Sequence, residues 1–343
     1  MKGDVLMSKR ILIISMMLLL ASSQSSFSAQ VFKIATVVPD STTWMKQMRS
    51  GAEEIEQRTE GRVKLKFYPG GVMGNDRAVL QKLRIGQLQG GAVTTGTLAE
   101  FFPDAQIYSL PLEFRTTDEV NYVRKHMDGE IADGLAKKGF ILLGMSNGGF
   151  AYIASNTGIQ DVEKLKEQRV WLPQGDVVGE AMFKVAGVSP VPLPLSDVYT
   201  ALQTGMLDTV IANPSSIIAF QWHTKISYLT DAPMLFLMGT LVVDKKAFDR
   251  VSADDQKIMR EVMKAVFAEL DVLNEKDNLA ARDVLAKSGV KFVHSTDEER
   301  GRWKIFANKA IDDLVSKGRY TKKYIDELRK HLQDFRDRAG SDA

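Results

Sequence analysis

The 343-residue chain is 44% hydrophobic and 26% charged, a globular composition with enough length for one large domain or two of moderate size. A net charge of +2 excludes the strongly basic face that nucleic acid or an anionic membrane would require. Cysteine is absent, which excludes disulfides, a thiol nucleophile and a lipidated Cys.

Lys9 and Arg10 precede an apolar run from Ile11 to Ala21, followed by the small and polar stretch SSQSSFSA. This order predicts a secretory signal peptide over residues 1–28, cut near Ser28 or Ala29; the run is too short to span a bilayer. Once Lys2, Lys9, Arg10 and Asp4 are removed, 42 basic and 42 acidic residues remain. The expected mature product is a near-neutral soluble protein of a bacterial periplasm.

VFKIATVV (31–38) reads as a buried strand, and Thr42 or Thr43 can cap a helix with Met45, Met48, Ala52 and Ile55 on one face. RVKLKFYP (62–69) alternates like a strand, GGVMG turns, Asp76 starts a helix through Leu83, and GGAVTT is a third strand. This succession predicts βαβ units and a mostly parallel sheet. The pattern recurs: LRIGQLQGGAVTTG begins at Leu83 and LQTGMLDTVIANP at Leu202, a spacing that suits two similar α/β lobes rather than a solenoid. The apolar stretches 140–155 and 233–248 are candidates to cross between the lobes. Residues 252–287 lack Gly and Pro, and Ser252 with Asp255 opens a helix of unusual length. VKFVH (290–294) is a short strand, Thr296 with Glu299 starts another helix, and the tail after Tyr320 is charged and helical. The expected division is 31–153 plus 241–285 for the first lobe, and 154–240 plus 286–343 for the second.

GMSNG (144–148) matches the nucleophile-elbow pattern around Ser146, but an elbow needs a helix directly after the serine. A strand-like run follows here, so a turn or lobe crossing is the better reading. His126, His223, His294 and His331 show no metal-ligand spacing, and no metal site or cofactor is expected. Of these, only His223, next to Trp222, is a candidate for a site. Met234 and Met238 read as core. In open α/β sheets, ligands bind beyond the carboxyl ends of the strands. Trp44, Trp171, Thr95 and Asn213 all fall at such ends, as does Gly71 in the GGVMG turn. Gln174 and Asp176 follow Trp171 in QRVWLPQGD. Each aromatic alone reads first as core packing; together, in both halves of the chain, they point to a shared cleft.

FKIATVVPDSTTW, GRVKLKFYPGGVMG, LQKLRIGQLQGG, QIYSLPLEF, GVSPVPLPLSDVYTALQTGMLDTVIANP and LVVDKKAFDRVS resemble the solute-binding proteins of TRAP (tripartite ATP-independent periplasmic) transporters. The resemblance runs from about Val31 to Ser252 and more loosely beyond. It implies a two-lobe α/β periplasmic binding protein with a ligand cleft between the lobes, crossing strands and a long bridging helix. It also implies a monomeric receptor that is not an enzyme and hands a small organic anion to TRAP permease subunits in the inner membrane. The family usually carries an arginine two residues before the proline of the QRVWLP strand, and often a second after a Gly-Phe pair in the crossing strand. Here those positions are Trp171 and Ala151; the family's asparagine before proline is kept as Asn213. Arg169 lies two residues before Trp171, on the same face of an extended chain. Tryptophan cannot replace a bidentate guanidinium. The expected solute is therefore aromatic, cyclic or less charged than a C4-dicarboxylate, held among Trp171, Trp222, Phe150 and Tyr152, or a carboxylate bridged by a cation to Asp176. A binding protein that feeds a signalling partner and a secreted hydrolase using Ser146 are the competing readings.

Overall fold

The computed structural model describes residues 29–341; the expected signal peptide, residues 1–28, lies outside the described residues. The first strand, β1 (Gln30–Ala35), buries Phe32 and Ile34 completely and turns Val31 and Lys33 outward. It pairs in parallel with β2 (Val63–Tyr68) and β3 (Gly90–Thr94). Helices α1 (Thr43–Arg58) and α2 (Asp76–Arg84) make the returns. Thr42 caps α1 by accepting from the Met45 N–H, and Asn75 caps α2 by accepting from Ala78, so Asp76 is the first helical residue.

The sheet is mixed where the sequence reading expected it mostly parallel. β4 (Phe140–Ser155) and β8 (Tyr228–Asp244) are long antiparallel partners at its centre. One end of β8 pairs with β3, while the far end of β4 pairs with β7 (Thr209–Ala212). The order is β2-β1-β3-β8-β4-β7, with β9 (Lys291–Val293) beside the start of β8. A chain that crosses between lobes and returns must run both ways, which forces the antiparallel centre. The second crossing stretch is shifted from its expected 233–248, because Asp244 caps the short helix Lys245–Phe248 and ends the strand. A separate parallel pair, β5 (Trp171–Pro173) and β6 (Val191–Leu193), lies in the second lobe.

The repeated L-x-x-G-x-L segments fold alike. α2 in the first lobe and α5 (Val198–Thr204), which follows α4 (Val177–Ala186) in the second, both run into a left-handed glycine, Gly86 at φ 76° and Gly205 at φ 73°. β3 and β7 follow. This conformation costs non-glycine residues roughly 1 kcal/mol or more, which accounts for glycine at both corners.

Helix α6 (Ala253–Lys287) spans 35 residues, capped by Ser252, which accepts from the Asp255 N–H. Its first half packs Met259, Met263, Phe267 and Leu270 into a first-lobe core with Phe32, Ile34 and Met48, and Leu285 near its end joins a second-lobe core. At Gly149, φ is 97° and the β4–β8 register shifts. An added Cβ there would lie 2.5 Å from Asn278 Nδ2 on α6, so the position requires glycine. α7 (Asp297–Ser316) packs against α4. The last helix, α8 (Lys322–Ser341), packs Ile325, Leu328 and Leu332 against Val123, Met127 and Ile131 of α3 (Thr117–Lys137), part of the first lobe. Within residues 286–341, α7 thus packs on α4 and α8 on α3. No described helix is long and apolar enough to cross a membrane.

Candidate solute cleft

The carboxyl ends of β3, β5 and β7 face one another across a cleft of about 1080 Å³, counting its open mouth. One wall carries Asp76, Arg77 and Thr94–Thr97 from the start of α2 and the end of β3, with Gln106 and Ser109 from the 3-10 segment Pro103–Ser109. The other wall carries Trp171, Gln174 and Asp176, then Pro194 and Leu195 beyond β6, and Asn213 beyond β7. Leu235, Leu237 and Met238 of β8 form part of the lining.

Trp171 is 6% exposed, with its indole N–H donated to the Leu193 carbonyl at 3.0 Å. Trp222 stands edge-on to it at 5.4 Å, and Phe220 stacks on Trp222 at 5.4 Å. With the indole N–H committed, Trp171 offers the cleft apolar surface. Asp176 caps α4: its Oδ1 accepts from the Val178 and Gly179 N–H groups and, at 3.0 Å, from Gln106 Nε2. Burial pushes its carboxyl up from the ordinary range, and the Gln106 bond opposes the rise. Asp76 is pushed up to about 6 by burial, against hydrogen bonds from Thr94 and Thr97. The one basic side chain of the lining, Arg77, is half exposed and pairs with Glu100 at 3.2 Å. Acids thus outnumber bases along the walls.

Of the residues selected from sequence, Thr95, Trp171, Gln174, Asp176, Asn213 and Trp222 line this cleft. The others lie elsewhere. Arg169 is largely exposed and binds Asp208 through its Nε at 2.9 Å and its backbone N–H at 2.9 Å, ahead of the point where β5 begins. Phe150 and Tyr152 lie one step of strand alternation away from the cleft-facing side of β4. Ala151 pairs with Leu235 and shares its cleft-facing side, so its neighbours point to the opposite face of the sheet. There they line a separate cavity of about 560 Å³ with Asp271 and Arg282, and Phe150 meets Phe236 edge-on at 4.9 Å. Trp44 sits edge-on to Phe267 at 6.1 Å and donates its indole N–H to Ser146 Oγ at 3.4 Å. Gly71 donates its N–H to the Thr36 carbonyl within the first lobe. His223 lies outside the lining, in the turn with Trp222.

Ser146 is 1% exposed in the middle of β4, so no strand-to-helix elbow forms around it. Among the described residues, no group of three or more His, Asp or Glu is arranged to hold a metal ion. Asp76, Arg77, Gln106, Phe220 and Leu195 escaped the sequence reading. Asp76 alone carried a usable signal: it follows a strand and a glycine-rich turn and opens a helix, so it faces the same edge as Thr95.

Two α/β lobes joined by crossing strands, with an aromatic and polar cleft at the strand ends, define a solute receptor of the periplasmic binding type. The chain belongs to the DctP family, bacterial extracellular solute-binding protein family 7, whose model matches residues 34–317. A solute-binding protein of Chromohalobacter salexigens is 26% identical over 82% of this chain and 84% of its own length. The C4-dicarboxylate-binding periplasmic protein DctP of Rhodobacter capsulatus is 24% identical over 84% of this chain and 87% of its own. Among solved structures, a TRAP periplasmic solute-binding protein of Desulfovibrio salexigens with bound orotic acid superposes with a TM-score of 0.83 at 18% identity, covering 89% of this chain and 99% of that one. The sugar acid binding protein DctPAm of Advenella mimigardefordensis, in complex with galactonate, gives 0.83 at 21% identity over 90% and 99%.

Proposed function

We propose that this chain is a periplasmic receptor that captures a small organic solute in the cleft and delivers it, unchanged, to a TRAP-type permease. The observation that carries the reading is the cleft itself, walled by the ends of β3 on one side and of β5 and β7 on the other, with Trp171 on its surface. Family membership supports capture without catalysis, and the orotate and galactonate of two structural relatives support an organic acid with a ring or polyol body. Trp171, Trp222, Thr95, Gln174, Asp176 and Asn213 form the contact set.

The proposed lobes are 31–153 plus 241–285, and 154–240 plus 286–316, with α8 joined to the first lobe because it packs on α3. Closure bends β4 at Gly149, where the register already shifts. A thermal-shift screen of organic acids, followed by small-angle scattering with the best binder, tests the reading. The radius of gyration should fall on binding, and mass spectrometry should recover the compound intact. A chemically altered compound, or an unchanged radius at saturation, would refute it.

A further inference from the structure

Two buried oxygen atoms of the cleft, one on each wall, accept no well-formed hydrogen bond from the protein. Asp76 Oδ2 accepts from Thr97 Oγ1 at 3.3 Å and the Thr94 backbone N–H also acts on the carboxyl, but Oδ1 is buried and accepts no well-formed hydrogen bond. Asn213 is 4% exposed, and its Nδ2 donates to the Gly148 carbonyl at 2.6 Å and to Ser215 Oγ at 3.0 Å. The Gly148 carbonyl can only accept, which fixes the orientation of the amide and leaves Asn213 Oδ1 buried and unpartnered. Buried polar atoms are almost always hydrogen-bonded, so two orphaned acceptors on opposite walls of one cleft call for donors from outside the protein. Three donors of the lining are already engaged: the Trp171 indole on the Leu193 carbonyl, Gln106 on Asp176, and Arg77 Nε on Glu100.

Resting on the receptor reading above, we propose that the cleft selects its solute by hydrogen-bond donors. The solute is a cyclic, polyhydroxylated molecule, with one hydroxyl donating to Asp76 Oδ1, another to Asn213 Oδ1, and its ring on the apolar surface of Trp171. Asp76 and Asn213 are then the specificity-determining residues, and a carboxylate on the solute is secondary to its hydroxyls. The arrangement inverts what an arginine clamp would do: acceptors face the solute where a cation would face its carboxylate. The charged side chains that share the cleft are Arg77, held by Glu100, and Asp176, held by Gln106. Asp76 ionises as pH rises through about 6, and a carboxylate accepts better than a carboxylic acid, so affinity should rise from pH 5 to pH 8.

The test is calorimetry with matched ring compounds: quinate, shikimate, D-glucuronate and D-galacturonate as hydroxylated acids, myo-inositol as a polyol without a carboxylate, cyclohexanecarboxylate without hydroxyls, and trans-4-(aminomethyl)cyclohexanecarboxylate with an ammonium. At least one hydroxylated acid should bind about tenfold or more tighter than cyclohexanecarboxylate, and myo-inositol should also outbind the latter. Asp76→Ala should weaken the best hydroxylated binder by about tenfold or more. Asp76→Asn should weaken it less, because a hydroxyl can turn and accept from the new amide. Melting of the unliganded variants at or above the wild-type temperature shows that they fold. Equal binding of cyclohexanecarboxylate and every hydroxylated compound, or indifference to Asp76→Ala, overturns the inference while leaving the receptor reading intact. Preferred binding of the aminomethyl compound, abolished by Asp76→Asn, assigns the donor to an ammonium and overturns the hydroxyl class. If nothing in the wider screen stabilises the wild type, the receptor reading itself fails.

Discussion

Replacing Asp76 by asparagine should stabilise the unliganded protein at neutral pH, and the effect should vanish in acid. Burial raises the folded-state pKa of Asp76 from 3.8 to about 6. The unfolded chain therefore gives up this proton at lower pH than the folded one. The folded state is unpenalised below about 3.8, loses stability as pH rises toward 6, and carries the full penalty above that. A shift of about two units corresponds to roughly 3 kcal/mol as an upper bound. The negative charge on the first residue of α2 returns about 0.3–1 kcal/mol through the helix dipole, and Asn forgoes that term. The expected net gain for Asp76→Asn is on the order of 1–2 kcal/mol at pH 8, or a rise of a few degrees in melting temperature. Parallel unfolding of wild type and variant from pH 3.5 to 8, without added solute, measures it. A variant no more stable than wild type at pH 8, or a difference independent of pH, would refute the argument that Asp76 is desolvated and underpartnered.

Further outcomes follow from the other residues of the cleft and hinge. Trp171→Ala removes a surface of the cleft and a partner of Trp222, and should weaken solute binding at least about tenfold by calorimetry. Arg169→Ala, which breaks only the exterior pair with Asp208, should change affinity by less than about twofold in the same assay. Gly149→Ala forces a side chain into a left-handed conformation against Asn278; it should lower the melting temperature and reduce the scattering change on solute addition. Lowering the pH should weaken the Arg62–Asp255 pair, whose hydrogen bond holds the Asp255 carboxyl below its usual range. That contribution is present above the ordinary carboxylate pKa and is lost as pH falls through the depressed one, so Asp255→Asn should flatten the acid limb of the stability profile.

Much of the architecture was legible because it rests on local signals. The caps at Thr42, Ser252 and Thr296, the corner glycines Gly86 and Gly205, and the alternation in VKLKFY each state their element within a few residues. Sheet direction at the centre was not local: nothing near β4 or β8 says that they pair with each other. The site was half legible for the same reason. Trp171 and Asn213 follow strands and so land at the cleft edge. Phe150 and Tyr152 flank Ala151 in sequence, and strand alternation turns them to the other face of the sheet. Asp76 read as a helix start, since burial and the want of a partner are properties of the folded cleft alone. The packing of α8 on α3 joins segments nearly two hundred residues apart, a distance no periodicity spans.

Native mass spectrometry of protein isolated gently from the periplasm tests the receptor account most directly. It predicts a population carrying one small molecule per chain, released with unchanged mass on denaturation, and lost in parallel with affinity in Trp171→Ala. A protein that is bare under all isolation conditions and takes up no compound from a broad organic-acid screen, or one that releases a chemically converted product, would contradict it.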